Sequence, residues 1–192
     1  MHVSNRRALF LDRDGVINLD HGYVWKIADI EFVPGIFELA RAARQRGFAI
    51  IVVTNQAGIG RGMYSEADFL ALTGWIGARF EAEDAPIDKV YFCPAHPVHG
   101  LGRYKVDSPF RKPAPGMILQ AAREFTVDLP GSVLVGDKES DIAAGRAAGV
   151  GTNVLYLPDS SPLATAGTAA PTIVTRLPDV IALLGTHTFL SP

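Results

Sequence analysis

Short apolar runs rich in β-branched residues alternate along this chain with segments of helical periodicity, and that alternation leaves few folds open. Ala8–Leu11, Ala49–Val53, Lys89–Phe92, Ser132–Val135 and Thr152–Leu157 read as strands. Ala49-Ile-Ile-Val-Val53 is apolar at every position, as a strand covered on both faces should be. Between the strands, Ile36–Arg46 carries Ile36, Leu39, Ala40 and Ala43 at helical spacing until Gly47 stops it. Ser65 is a good N-cap, and Asp68 at its third following position completes a box-like start to a helix reaching about Glu81. Pro115 suits the first turn of a helix over Pro115–Phe125, and a helix from about Ser140 to Ala148 ends at Gly149. The tail reads as a Ser/Thr/Ala/Pro-rich loop, Pro158–Pro171, then a short strand and a helix over Pro178–Leu184. Strands alternating with helices predict an α/β fold, a doubly wound parallel sheet of Rossmann-like type. In such sheets ligands bind beyond the carboxyl ends of the strands, where the winding direction reverses.

The chain's 192 residues suit one domain spanning 1–192, with no internal repeat and no second or cap domain. With 48% hydrophobic and 20% charged residues and a formal net charge of −2, neither nucleic acid nor an anionic membrane is an expected partner. The single cysteine, Cys93, rules out an internal disulfide and fits a reducing compartment. No apolar run approaches a membrane span, and Asp12 and Asp14 interrupt any signal-peptide core after the basic residues of Met1–Arg7. The expected setting is cytoplasmic, and the expected state a monomer.

Four segments put polar residues at or just after the strand ends: Leu9-Phe-Leu-Asp-Arg-Asp-Gly-Val16, Ile51-Val-Val-Thr-Asn-Gln56, Arg111-Lys-Pro113 and Val133-Leu-Val-Gly-Asp-Lys-Glu-Ser-Asp141. Together they bring carboxylates (Asp12, Asp14, Asp137), a lysine (Lys112) and a hydroxyl (Thr54) toward one point. That set suits a phosphate and a divalent cation, because magnesium takes one or two carboxylates plus phosphate oxygens and water. A carboxylate that attacks phosphorus splits a hard hydrolysis into two easier steps. Asp12 and Asp14 sit two positions apart in a turn that Gly15 permits, so one can attack while the other serves as acid and later as base. Taken singly, each residue also has a structural reading: Asp12 a strand-end turn, Asp137 a helix cap, Thr54 a strand residue, Lys112 a solvated loop cation.

Asp12-Arg-Asp-Gly-Val16 with Thr54, Lys112 and Gly136-Asp137 resembles the haloacid dehalogenase superfamily of phosphatases. The resemblance implies that Asp12 is nucleophile and magnesium ligand. It makes Asp14 the general acid/base, with its backbone carbonyl also on the metal. Thr54 would bind a phosphate oxygen, Lys112 would neutralise phosphate and nucleophile, and Asp137 would ligate magnesium. Asp141 either supports the metal site or caps the following helix.

A narrower resemblance runs from about Ala8 to Leu184. Asn18-Leu-Asp-His-Gly-Tyr-Val24, Glu31-Phe32, Thr54-Asn-Gln-Ala-Gly-Ile-Gly-Arg-Gly62, Cys93-Pro94, Arg111-Lys-Pro-Ala-Pro-Gly-Met117 and Gly136-Asp-Lys138 are similar to the heptose bisphosphate phosphatases. The related histidinol-phosphate phosphatases, or a broad sugar-phosphate phosphatase, are the alternative. The heptose resemblance implies a small sugar bisphosphate as partner and a place in carbohydrate metabolism, making a lipopolysaccharide precursor. Arg61, Arg111 and Lys138 are then candidate phosphate contacts, and Asn18, Asn55 and Gln56 candidate contacts to sugar hydroxyls; Arg61 equally reads as a solvated loop cation. Three loops near 18–30, 55–64 and 93–111 would shield an open site. Family members often carry zinc on a Cys-x-His pair and a later Cys-x-Cys. This chain has Cys93-Pro-Ala-His96 and then Val106-Asp-Ser-Pro-Phe110, so both later cysteines are missing. Cys93, His96, His99 and Asp107 make a poor substitute for four nitrogen and sulfur ligands, and no zinc is expected. His21 reads as part of the substrate loop.

Overall fold

The computed structural model describes residues 6–158 and 171–185, so most of the expected loop Pro158–Pro171 lies outside the described residues. Six parallel strands form one sheet: β1 (Ala8–Leu11), β2 (Ala49–Asn55), β3 (Lys89–Cys93), β4 (Val133–Gly136), β5 (Thr152–Tyr156) and β6 (Thr172–Val174). Their order is β3-β2-β1-β4-β5-β6. The chain thus winds outward from β1 through β2 to β3, crosses back to β4, and winds the other way to β6. The reversal falls between β1 and β4, the place where such sheets open a crevice.

The alternation of side chains along each strand feeds two cores. In β1, Leu9 and Leu11 face one core and Ala8 and Phe10 the other, all fully buried. The first core takes the apolar faces of α1 (Ile36–Gln45) and α3 (Glu66–Ala82), with Leu39, Leu72 and Phe80 among them, and Leu177 and Val180 of the terminal 3-10 helix Leu177–Leu183. The second takes α4 (Gly116–Phe125) and α5 (Glu139–Ala148), through Met117, Ile118, Ala121 and Ile142. Helices on both faces explain why the strand sequences lack a polar side. The two-sided parallel sheet is the one expected from the sequence.

The Ser65 and Gly149 caps behave as the sequence predicts, while Pro115 stands at the N-cap of α4 rather than in its first turn. Ser65 Oγ accepts the Asp68 N–H at 3.1 Å, and Asp68 Oδ2 accepts the Ser65 N–H at 2.8 Å. Gly149 closes α5 at φ +88°. Other elements differ, including short 3-10 turns at Ile27–Asp29 and Gly102–Tyr104 within the expected loops. The segment expected to be loop after Gln56 contains a short helix, α2 (Ala57–Gly60), and the tail helix is 3-10 rather than α.

Candidate active site

β1, β2 and β4 end side by side, and their register sets the site. Leu11 pairs with both Val52 and Val135, so Asp12, Val53–Thr54 and Gly136–Asp137 emerge at one level. A cavity of about 410 Å³ opens there, lined by Asp12, Asp14, Thr54, Asn55, Gln56, Arg111, Lys112, Lys138 and Asp141 among others.

Lys112 is the cation at the bottom of this crevice. Its Nζ lies 2.9 Å from Asp12 Oδ1 and 2.6 Å from Asp141 Oδ1, and donates to the Val53 carbonyl at 2.8 Å. Only 3% of the residue is exposed, so water contributes little to its charge balance. Burial alone would lower its pKa, but Asp12 and Asp141 outweigh that and hold it above the ordinary value. Asn55 fixes the lysine's backbone. Its Oδ1 accepts the Lys112 N–H, and its Nδ2 donates to the Lys112 carbonyl, each at 3.0 Å. Asp12 receives a second donor on Oδ1, the Arg13 N–H at 2.7 Å. Burial pushes the Asp12 carboxyl up and Asp141 adds to this, with Lys112 opposing.

Asp12, Asp137 and Asp141 each offer an oxygen within 4.8 Å of the others. Asp137 Oδ1 is buried without a hydrogen-bond partner, and the carboxyl is pushed up to about 6 by burial and by the neighbouring Asp12 and Asp141. A Cβ placed on Gly15 would lie 2.2 Å from Asp137 Oδ2, so the Asp14–Gly15 turn closes directly against that carboxylate. Hard oxygen donors, surplus negative charge and an orphaned oxygen fit a divalent cation. Asp141 enters this cluster and also caps α5, its Oδ2 accepting the Lys138 N–H at 3.0 Å. The two roles left open for it are therefore both compatible with its position.

Asp14 points its carboxylate elsewhere. The Arg13 guanidinium holds both oxygens, at 2.8 and 2.9 Å from one nitrogen, while Asn18 Nδ2 donates at 3.1 Å and Gln56 Nε2 at 3.0 Å. Arg13 is itself buried, anchored on the Val24 carbonyl at 2.6 Å and lying over the Phe69 ring. Gln56 Nε2 also donates to Thr54 Oγ1 at 2.9 Å.

The residues expected to meet substrate divide into groups. Arg111 and Lys138 line the cavity; Arg111 donates to the Ala95 carbonyl at 3.1 Å, and Lys138 pairs with Asp20 at 3.0 Å. Burial would lower the Lys138 pKa, but Asp137 and Asp20 keep it above the ordinary value. Asn55 and Gln56 line the cavity too, yet their amides are spent on Lys112 and on Asp14 and Thr54. Asn18 is fully buried, and its amide serves Asp14 and the Leu19 carbonyl. Its Nδ2 makes both of these bonds, its Oδ1 has no hydrogen-bond partner, and the residue lies outside the cavity lining. Arg61 is exposed, lies outside the cavity lining and bonds the Tyr23 hydroxyl, joining two of the three loops.

Sequence reasoning missed Arg13, Asp20, Tyr23 and Tyr64. Arg13 stands inside the Asp-Arg-Asp segment and was open to notice as a buried partner for Asp14. The others show their role only when distant loops meet. In the third loop, Cys93 is buried, and half-buried His96 accepts the Val98 and His99 N–H groups on Nδ1. Backbone bonds from His96 to Tyr104 and from Leu101 to Gly60 tie this loop down.

Comparison with known proteins fits this geometry. The HAD-hydrolase-like family model matches residues 109–180. The D-glycero-alpha-D-manno-heptose-1,7-bisphosphate 7-phosphatase of Burkholderia mallei is 61% identical over 179 residues, 93% of each chain. The D-glycero-beta-D-manno-heptose-1,7-bisphosphate 7-phosphatase of Vibrio cholerae is 46% identical over 167 residues, 87% of this chain and 89% of that one. Among solved structures, a putative HAD-like phosphatase from Mesorhizobium loti superposes with TM-score 0.85 at 34% identity, covering 96% of this chain and 90% of the other. The D,D-heptose 1,7-bisphosphate phosphatase of B. bronchiseptica, complexed with magnesium and phosphate, gives TM-score 0.75 at 27% identity over 93% and 97%. The fold and site are those of a haloacid dehalogenase hydrolase, an enzyme of the phosphatase class. Within that class, the chain belongs to the heptose-1,7-bisphosphate 7-phosphatase family.

Proposed function

We propose that this enzyme removes the 7-phosphate of D-glycero-D-manno-heptose 1,7-bisphosphate through an aspartyl phosphate on Asp12. The observation that carries the reading is the Lys112 ammonium wedged between Asp12 and Asp141, with the orphaned Asp137 oxygen beside them. Such a site holds more negative charge than one lysine balances and calls for a further cation. Magnesium fits: the Asp12 and Asp137 carboxylates and the Asp14 backbone carbonyl would hold it, with Asp141 supporting. When bound it supplies charge neutralisation between the entering phosphate and the carboxylates.

In the first step an Asp12 oxygen forms a bond to phosphorus while the bond to the sugar oxygen breaks, and Asp14 gives that oxygen its proton. Both donors to Asp12 converge on Oδ1, which leaves Oδ2 to attack. Thr54 donates its hydroxyl proton to a phosphate oxygen, and Lys112 neutralises charge as it builds. In the second step the Asp14 carboxylate takes a proton from water as the water oxygen bonds to phosphorus. The acyl-phosphate bond then breaks, freeing phosphate and the Asp12 carboxylate. Arg111 and Lys138 supply cations for the rest of a bisphosphate substrate, and the three loops shield a site without a separate cap domain.

Phosphate release with magnesium tests this, comparing both anomers of the heptose bisphosphate with histidinol phosphate and simple sugar phosphates. The 61% identical relative is named for the α anomer, which makes it the first substrate to try. A specificity constant favouring a heptose bisphosphate by orders of magnitude supports the reading. A preference for histidinol phosphate, or equal rates on all, would reassign the substrate and leave the phosphatase chemistry in place.

A further inference from the structure

One side chain touches both the acid/base carboxylate and the phosphate-binding hydroxyl, and its orientation decides what each can do. Gln56 Nε2 lies 3.0 Å from Asp14 Oδ2 and 2.9 Å from Thr54 Oγ1, while Oε1 lies 2.6 Å from the Tyr64 hydroxyl. A glutamine amide can face either way, and its neighbours must choose. Arg13 and Asn18 already donate to the Asp14 carboxylate, so its Oδ2 is an acceptor here and the NH₂ faces it. The oxygen then faces Tyr64, whose hydroxyl must donate. That hydroxyl remains a donor at any working pH, because burial pushes it up to about 12.

The NH₂ group has two protons, and both are committed. One goes to Asp14 and the other to Thr54 Oγ1. Thr54 is therefore an acceptor within the protein, and its own proton is free for a phosphate oxygen in the cavity. Tyr64 is held in place to do this. A Cβ on Gly58 would come within 2.2 Å of its ring, Trp25 stacks on it at 6.2 Å and 13°, and only 7% of the residue is exposed. We propose that Tyr64 is a positioning residue for catalysis. Through Gln56 it fixes the direction of the hydrogen bonds that hold Asp14 and turn the Thr54 proton toward substrate. This rests on the roles of Asp14 and Thr54 proposed above.

Tyr64→Phe removes only the oxygen. With magnesium, kcat on heptose 1,7-bisphosphate should fall by about tenfold, the scale of one lost hydrogen bond, with KM nearly unchanged. The loss should be greater for the sugar phosphate than for p-nitrophenyl phosphate, whose leaving group needs little help from an acid. In Gln56→Ala the hydroxyl has nothing left to orient, so adding Tyr64→Phe to that variant should cost no further activity. Unchanged kcat in Tyr64→Phe, equal losses on the two esters, or losses that multiply in the double variant would each overturn the proposal. If the native protein hydrolyses neither ester, the catalytic reading fails separately, and NMR judges the network alone. The Gln56 side-chain amide protons should then exchange about tenfold faster in Tyr64→Phe than in the native protein. Equal exchange would overturn it.

Discussion

Replacing Lys112 by alanine should destabilise the fold more at neutral pH than in mild acid. The native ammonium meets Asp12 at 2.9 Å, Asp141 at 2.6 Å and the Val53 carbonyl at 2.8 Å, and all three charged residues are buried. Taking away the cation strands two carboxylates that water cannot reach, and breaking a buried pair in this way costs about 3–5 kcal/mol. The stranded carboxyls have one escape, which is to bind a proton. The variant's folded state therefore takes up protons that the native state does not, and its deficit shrinks as pH falls. Urea unfolding in chelator, at about pH 7.5 and about pH 5.5, measures both terms. The expected result is a loss of about 3–5 kcal/mol at the higher pH, at least about 1 kcal/mol less at the lower, and an unchanged m-value. Lys112→Met restores most of the stem volume, so its difference from the alanine variant isolates the cavity contribution. A loss below about 1 kcal/mol at neutral pH, or the same loss at both, would refute the reasoning about a buried, charge-balancing lysine.

Other consequences follow from the same geometry. Gly15→Ala drives a methyl group into Asp137 Oδ2 at a position with φ +92°, so magnesium should activate the variant only at concentrations at least about tenfold higher; a native activation curve would count against the cluster. The Asp137 carboxyl, raised from 3.8 to about 6, binds its proton more tightly folded than unfolded. Its contribution to the metal-free protein is thus fully present below about pH 4 and lost as pH rises through about 6. Melting curves of native and Asp137→Asn protein in chelator should show this as a downward slope with pH that the variant lacks, and magnesium at neutral pH should restore the native Tm. Arg13→Ala removes the guanidinium that grips Asp14 and anchors Val24, so kcat should fall at least about tenfold; an unchanged kcat would show that Asp14 does not need it.

Much of this was legible in the chain. Strands covered on both faces must be apolar throughout, so Ala49–Val53 announced its place, and the polar residues following each run had to gather at one edge. The Ser65–Asp68 box and Gly149 marked helix ends because their signals are local. What stayed hidden depended on distant contacts. Ala57-Gly-Ile-Gly60 has little helical propensity, and it forms α2 where Gly58 admits the Tyr64 ring and a Cβ on Gly60 would meet the Pro94 carbonyl. Asn18, Asn55 and Gln56 look like polar loop residues ready for a sugar. Only the fold shows that their NH₂ groups donate to Asp14, to Thr54, and to the Leu19 and Lys112 carbonyls. Tyr64 carries no motif, and its hydroxyl matters because a glutamine eight positions earlier needs a donor.

Trapping the covalent intermediate bears on the mechanism without depending on the choice of substrate loop. The native enzyme, mixed with magnesium and heptose 1,7-bisphosphate and quenched in acid during turnover, should yield a phosphorylated peptide containing Asp12. Asp12→Asn should yield none and should release no phosphate while keeping its fold. Phosphate release by a folded Asp12→Asn protein, or a phosphoryl group found on any other residue, would contradict an aspartyl phosphate at Asp12.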